Sequence, residues 1–521
     1  MKIYKLKALA VLFAALMVSS CVNDLNLTPK DPNIVTSLTA YNSPDAYKEG
    51  LAKLYAGLAL GGQQGGDGNV DIAGIDGGFS NYIRQYWNAQ ELTTDEAVMA
   101  WNDGTIKDYH WQNWSANNEF IAAMYSRLMF TVSICNEYVR VTKGNTDPDI
   151  KKYNAEARFL RALAYTHTID MFGNPPFVTE NDPVGLYFTT QTTRAALFAY
   201  VESELKAIET ELGTPRFEYG RADQACAWTL LAKLYLNAKV YIGQDKNAEC
   251  VTYCNKVIGA GYTLATKYAN NFTADNNLSP EMIFPVTSDG QYTRTYGNMT
   301  YLIHAQIGGS MSPTSFGVGS GWGGIRSTKA LVAKFTDNSG VTDQRAMFYT
   351  TGQKLEITDI NQFTEGWAIR KFTNLTSTGA AAPHAHPDFV DTDFPLFRLA
   401  DVYLMYAEAT LRGASAGNST SALGYVNALR QRAYGNTNGN ITASQLTLDY
   451  ILDERSRELY WEGYRRTDLI RFAKFTGGAY LWPWKGKVAA GASTESFRDI
   501  FPIPSNDMGA NPTLKQNPGY N

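Results

Sequence analysis

The feature that most restricts the fold is a recurrence of amphipathic segments of helical length, joined in pairs by short turns. Alanine and glycine stand where two helices must approach closely, as in RADQACAWTLLAKLYLNAKVYIG;. The first segment, 44–60, places Tyr47, Leu51, Leu54 and Leu58 on one stripe and follows Ser43, a residue type that caps helix N-termini;. Segments with the same period span 119–141, 150–171, 194–212, 221–241, 247–258, 397–411, 419–433 and 444–474. Paired helices of this kind resemble tetratricopeptide units, with spacing too irregular for a strict repeat. The expected fold is therefore mainly α, a tetratricopeptide-like helix-pair scaffold over about 41–260 and 396–475. Two insertions, 61–115 and 261–395, should be loops and small strands; the second is rich in Gly, Thr, Asn and Ser, with short apolar alternations such as MIFPV and AIRKF;. Loop regions of that size within one body normally carry function. No low-complexity linker divides the 521 residues, so 41–521 is read as a single domain;.

The N-terminus adds a location. Lys2, Lys5 and Lys7 precede an apolar run over 8–18, followed by Ser19, Ser20 and Cys21. This is the pattern of an export signal over 1–20, with Cys21 as a lipidated new terminus carrying palmitate-like chains. The run is too short to span a bilayer, and no later stretch is long and apolar enough. Anchoring would come from the acyl chains, and the polar, proline-containing stretch 21–40 would be the tether;.

A formal charge of -4 without any basic stripe removes nucleic acid as a partner;. Cys250 and Cys254 lie one helical turn apart, and Cys135 and Cys226 fall on predicted helices, so all four are read as core residues;. His384 and His386, in APHAHPDF, have no carboxylate or thiol at ligand spacing in the sequence and are read as loop residues;. Neither a metal site nor a cofactor is expected, and a structural calcium ion among the acidic loops is the one ion left open.

Two constellations could carry chemistry. The segment ILDERSRELYWEGYRRTDLIRF interleaves Asp453, Glu454, Glu458, Glu462 and Asp468 with Arg455, Arg457, Arg465, Arg466 and Arg471. Glu458 and Glu462 share a face of a continuous helix, an arrangement that fits the paired carboxylates of a glycoside hydrolase, and Asp67, Asp71 and Asp76 form a second acidic group;. The arginines oppose this: a general acid needs its proton affinity raised, and adjacent guanidinium groups lower it. The segment is read as Arg–carboxylate pairs holding a helix in place, and no enzyme is expected. The second constellation is a set of aromatics among Gly and Asn: Tyr82, Tyr86, Trp87, Trp101, Tyr296 and Trp322. A pyranose packs its C–H face flat on such a ring while polar neighbours bind its hydroxyls.

Several segments, among them CVNDLNLTP, NAQELTTDEAVMAW, AEARFLRALAYTHTIDMFGNPPF, FPLFRLADVYLMYAEA, EGYRRTDLIRF and FPIPSNDMGANPTLKQNPGYN, closely resemble the SusD/RagB lipoproteins over essentially the whole mature chain. The resemblance implies a non-catalytic outer-membrane protein at the cell surface that binds a nutrient glycan beside a TonB-dependent transporter. Further surface glycan-binding proteins and an amylase are implied companions. The similarity is greatest to the starch-binding branch, which implies α-glucan held on an arc formed by Trp101, Tyr296 and Trp322, with Arg84 bonding the sugar. Met99 stands where that branch has a further tryptophan and Gly104 where it has an asparagine, so Asn102 or Asp103 is expected to supply that bond. A different polysaccharide, a glycoside hydrolase and a helical scaffold that holds other proteins are the alternatives.

Overall fold

The computed structural model describes residues 40–520 apart from 64, 67 and 186. The export signal, Cys21, nearly all of the tether and Asp67 therefore lie outside the described residues. The chain divides into residues 1–48 and 49–521. Ser43 caps helix α1 (Pro44–Ala59), most of which belongs to 49–521, its hydroxyl accepting the Ala46 N–H at 3.2 Å.

The second unit is mainly helical. After α2 (Tyr82–Trp87) come α3 (Glu119–Thr142), α4 (Pro148–Phe172), α5 (Arg194–Ile208), α6 (Gln224–Leu236) and α7 (Asn247–Ile258). Then follow α8 (Asn298–Ala305), α9 (Leu399–Leu411), α10 (Ser419–Tyr434), α11 (Leu448–Leu459) and α12 (Arg465–Arg471). Side-chain caps start most of the long helices: Asn118, Asp147 ahead of Pro148, Thr193, Asp223, Asn418 and Thr447 each accept a backbone N–H of the first turn;. Each cap satisfies a donor that the helix cannot, which is why the boundaries fall where the sequence places Ser, Thr, Asp and Asn. Helix α3 packs along α4, α4 along α5, α6 along α7 and α9 along α10, and α7 packs on α9, joining early and late pairs into one stack. Ala225, Ala227 and Ala232 of α6, all buried, give the close approach that the small residues promise.

Several segments differ from the sequence reading: the insertions expected to be loops and small strands contain α2 and α8, and the helix expected over 221–241 is α6 followed by a separate short helix (Ala238–Ile242). The described residues hold antiparallel pairs of short strands, β1 (Val98–Met99) with β3 (Ile325–Arg326), β2 (Met282–Val286) with β6 (Phe394–Arg398) and β4 (Phe348–Tyr349) with β5 (Ala368–Ile369), and because residues 394–398 are strand, α9 begins only at Leu399. The expected helix over 444–474 is broken between α11 and α12 by a turn in which Trp461 and Gly463 take φ of 64° and 83°. A Cβ on Gly463 would stand 2.5 Å from the Tyr86 ring, so the turn depends on glycine at that point;.

The turn exists to aim charge inward. In the β2–β6 ladder Met282 faces Arg398, which places Glu281 beside that guanidinium. Arg398 reaches Glu281 at 3.2 Å, Glu458 at 2.7 Å and Glu462 at 2.6 Å, all with fully buried side chains. Arg432 of α10 bridges Glu281 and Glu458, Arg345 adds Glu454 at 2.8 Å and Glu458 at 3.2 Å, and Lys371 closes on Glu462 at 2.7 Å. Further pairs bind other elements to the break: Arg465 holds Asp95, Arg455 holds Asp401 and Asp468, Arg471 holds Glu408, and Arg466 holds Asp170 of α4. Burial raises the proton affinity of Glu458, but Arg432, Arg398 and Arg345 outweigh it and bring its pKa down to about 2;.

Glu458→Gln leaves three guanidinium groups facing a neutral amide, and we expect a loss of about 3–5 kcal/mol in urea unfolding. Acid should act similarly. Asp95, Asp401 and Glu408 are likewise lowered to about 2, burial being outweighed by Arg465 for the first, Lys233 and Arg455 for the second and Arg471 for the third. Each folded pKa lies below its unfolded value near about 4, so this stability is complete above about pH 5 and drains as pH falls toward 2. A urea midpoint unchanged between about pH 6 and 3 would contradict it.

Candidate functional site

Trp101 and Trp322 are 221 residues apart in sequence and meet through a short ladder. Strand β1 (Val98–Met99) pairs antiparallel with β3 (Ile325–Arg326), Val98 facing Arg326 and Met99 facing Ile325. The pairing continues with the Ala100 N–H donating to Gly324 O at 2.7 Å, and the Trp101 indole N–H donates to Trp322 O at 2.9 Å. The glycines around Trp322 permit this approach: a Cβ on Gly324 would lie 2.7 Å from the Trp101 ring, and one on Gly321 2.5 Å from Ile307. Trp322 is also pinned from the other side, its N–H donating to His304 O at 2.8 Å. The His304 imidazole stacks on the indole at 4.7 Å and 21°, and burial lowers its pKa, so the ring that backs Trp322 is neutral.

Tyr296 and Arg84 are set by one asparagine. The Asn81 side-chain oxygen accepts the Arg84 N–H and the Asn298 N–H, each at 3.0 Å, and so joins the starts of α2 and α8. Gly297 is indispensable there, since a Cβ would come within 2.3 Å of the Asn81 side chain. Arg84 Nη1 donates to Gly78 O at 2.7 Å and to Tyr296 O at 3.2 Å, and its guanidinium lies 4.3 Å above the Tyr301 ring. Burial lowers the Arg84 pKa, against the pull of Tyr301, Asp103 and Asp76.

The three expected rings thus adjoin one another and are half-buried. Trp322 is central: its ring lies 6.3 Å from Trp101 at 43° and 6.2 Å from Tyr296 at 59°. Trp101 and Tyr296, but not Trp322, line a depression of about 320 Å³ together with Arg84, Met99, Asp103, Glu119 and Tyr301. Of the two candidates beside Trp101, Asp103 lines this depression, whereas the Asn102 amide oxygen accepts from Lys107 Nζ at 3.1 Å. Gly104 has φ of +41°, and a Cβ there would fall 1.5 Å from Glu119 Oε1. The carboxylate of Glu119, first residue of α3, occupies room that only glycine leaves. Sequence reasoning did not find Glu119, nor Phe389, whose ring lies 5.5 Å from Tyr296. Both reach the site through tertiary packing and carry no local signal.

Other expectations fall elsewhere. Tyr82, Tyr86 and Trp87 are core residues, all nearly inaccessible: the Tyr82 hydroxyl pairs with His167 at 2.7 Å, Tyr86 donates to Gly463 O and Trp87 donates to Trp461 O. They lie on α2, whose buried face the neighbouring glycines and asparagines disguise. Glu458 and Glu462 do not share a helix face, because α11 ends at Leu459, and both are sealed in the core as arginine partners. Asp71 pairs with Lys53 at 2.8 Å and Arg127 at 3.4 Å, and Asp76 accepts the Gly78 N–H at 2.7 Å. His384 is not alone in its loop: Asp289 lies 2.9 Å and Asp391 3.7 Å from its Nδ1. Those carboxylates are already engaged, Asp391 accepting the Gly290 and His384 N–H groups and Asp289 those of Gln291 and Tyr292. Cys135, Cys226, Cys250 and Cys254 are free and buried. Among the described residues no helix is long and apolar enough to cross a membrane.

Comparison with known proteins agrees with this architecture. The SusD family model matches residues 349–520. The starch-binding protein SusD of Bacteroides thetaiotaomicron is 36% identical, the match covering 96% of each chain. Among solved structures, a SusD superfamily protein of Parabacteroides distasonis superposes with a TM-score of 0.72 at 20% identity, covering 94% of this chain and all of the other. Surface glycan-binding protein A of Bacteroides thetaiotaomicron, solved with laminarihexaose, gives 0.69 at 20% identity over 91% and 99% of the two chains. With that fold, and with more than a third of its residues shared end to end with a curated relative, the chain belongs to the SusD family.

Proposed function

We propose that this protein is a non-catalytic cell-surface lipoprotein that captures α-glucan, starch or malto-oligosaccharide, on Trp101, Trp322 and Tyr296. The observation that carries the reading is the tilt of these neighbouring rings, 43° and 59° across the central Trp322. Sugar units packed on successive tilted planes must turn from one to the next, as a coiled α-1,4 chain does and a flat β-1,4 chain does not. Arg84, with Asp103 rather than Asn102, whose amide oxygen already accepts from Lys107, supplies donor and acceptor for sugar hydroxyls at the edge of the rings;. The 36% identity to a starch-binding protein supports the same ligand class. A coiled β-1,3-glucan is the second reading, because a structural relative was solved with laminarihexaose. Lipidation at Cys21, an outer-membrane position and delivery to a TonB-dependent transporter complete the proposal. It requires no cofactor, and capture needs only reversible contacts.

Trp322→Ala is expected to abolish retention in an amylose affinity gel while circular dichroism and Tm stay near wild type, and Trp101→Ala should do the same. Equal retention of both variants would remove the aromatic site. Maltoheptaose should be held more tightly than laminarihexaose, and levan and xylan should give no retention; the reverse order would transfer the assignment to β-1,3-glucan. Incubated with maltoheptaose, the protein should release no shorter products.

A further inference from the structure

Beside the depression lined by Trp101 and Tyr296 lies a second one of about 640 Å³. Its walls are residues 72–76, the face of α3 that carries Ala122 and Ser126, and residues 504–507 with Ala510. Ala122 and Ser126 stand one helical turn apart, both half-buried;. The two depressions share Asp76, Phe79 and Glu119, so a single ligand can pass from one into the other along the surface. Both volumes fall in the roughly 300–1,000 Å³ range of ligand sites;.

The lining of the second depression suits a neutral carbohydrate. Ile72, Ile75 and Pro504 offer aliphatic surface to sugar C–H groups, and Asp76, Glu119 and Asp507 offer carboxylates to hydroxyls;. Asp507 is steadied by the Tyr125 hydroxyl, which donates to it. No Lys, Arg or His is among the lining residues, so uronates and sulfated sugars meet only repulsion there;. Glu119 stands at the border because Gly104 leaves room for its carboxylate.

We propose that this second depression is a further glycan subsite, which takes neutral glucose units continuing from those on the rings. The proposal rests on the reading of the rings as an α-glucan site. A basic peptide would also match three carboxylates, but the wall shared with the ring site favours the sugar chain.

Calorimetric titration of the full protein with maltotriose and maltoheptaose tests this, the shorter sugar being held on the rings alone. Ser126→Trp and Ala510→Trp fill the depression from opposite walls, and Ala510 is exposed, so its variant decides the matter if Ser126→Trp lowers Tm. Maltoheptaose affinity should fall about fivefold in each variant, the equivalent of one net hydrogen bond, with maltotriose affinity unchanged. Wild-type maltoheptaose affinity in both variants overturns the second subsite and leaves the ring site standing. Failure of the wild-type protein to bind either sugar overturns both.

Discussion

The structure depends on one buried carboxylate, Glu458, and the three guanidinium groups that converge on it. Arg345 arrives from the loop insertion, Arg398 from the end of β6 and Arg432 from α10, so a single side chain ties strand, helix and loop to α11. Ions this deeply buried are tolerable only when every charge is matched and the remaining hydrogen-bonding capacity is used. Arg398 meets that condition with five acceptor contacts from Glu281, Glu458 and Glu462. Hydrophobic packing between paired helices is non-directional, whereas this network admits one register for the elements it joins.

The ring site relies on a different device. Where the scaffold is fixed by charge, the rings are fixed by backbone proximity: a two-residue ladder, carbonyls accepting from Trp101 and Trp322, and glycines at 297 and 324 where any side chain would collide. The rings therefore need little bulk around them to hold their orientation. They can stay half-exposed, as a surface that meets a hydrated ligand must be, and still keep a defined tilt.

Much of this was legible in the sequence, for identifiable reasons. Helices with a cap residue and a sustained apolar stripe, such as 44–60 and 119–141, lie within a residue or so of their expected bounds because both signals are local. The helix expected across 444–474 failed at Trp461 and Gly463, where tertiary demand for inward charge overrides a strong helical pattern. Trp101, Tyr296 and Trp322 were nameable because glycine and asparagine neighbours mark backbone that runs outside regular elements. The same cue misled at Tyr82, Tyr86 and Trp87, since α2 is short and its polar neighbours, Asn81 and Asn88 among them, are themselves buried hydrogen-bonding groups. Glu119 and Phe389 had no local mark at all.

The separation of the two devices bears on how such a protein diversifies. Residues that touch the rings come from insertions between helix pairs, and the longer insertion also sends Glu281, Arg345 and Lys371 into the charged junction beside β6, α10 and α11. A change confined to the stretches around Trp101, Tyr296 and Trp322 can thus present new aromatic planes while Glu281, Arg345 and Lys371 keep the ion network that holds the helices in register. One inherited frame can accordingly be retuned by local exchange of the ring-bearing residues, so long as the anchoring charges of the same insertion stay in place.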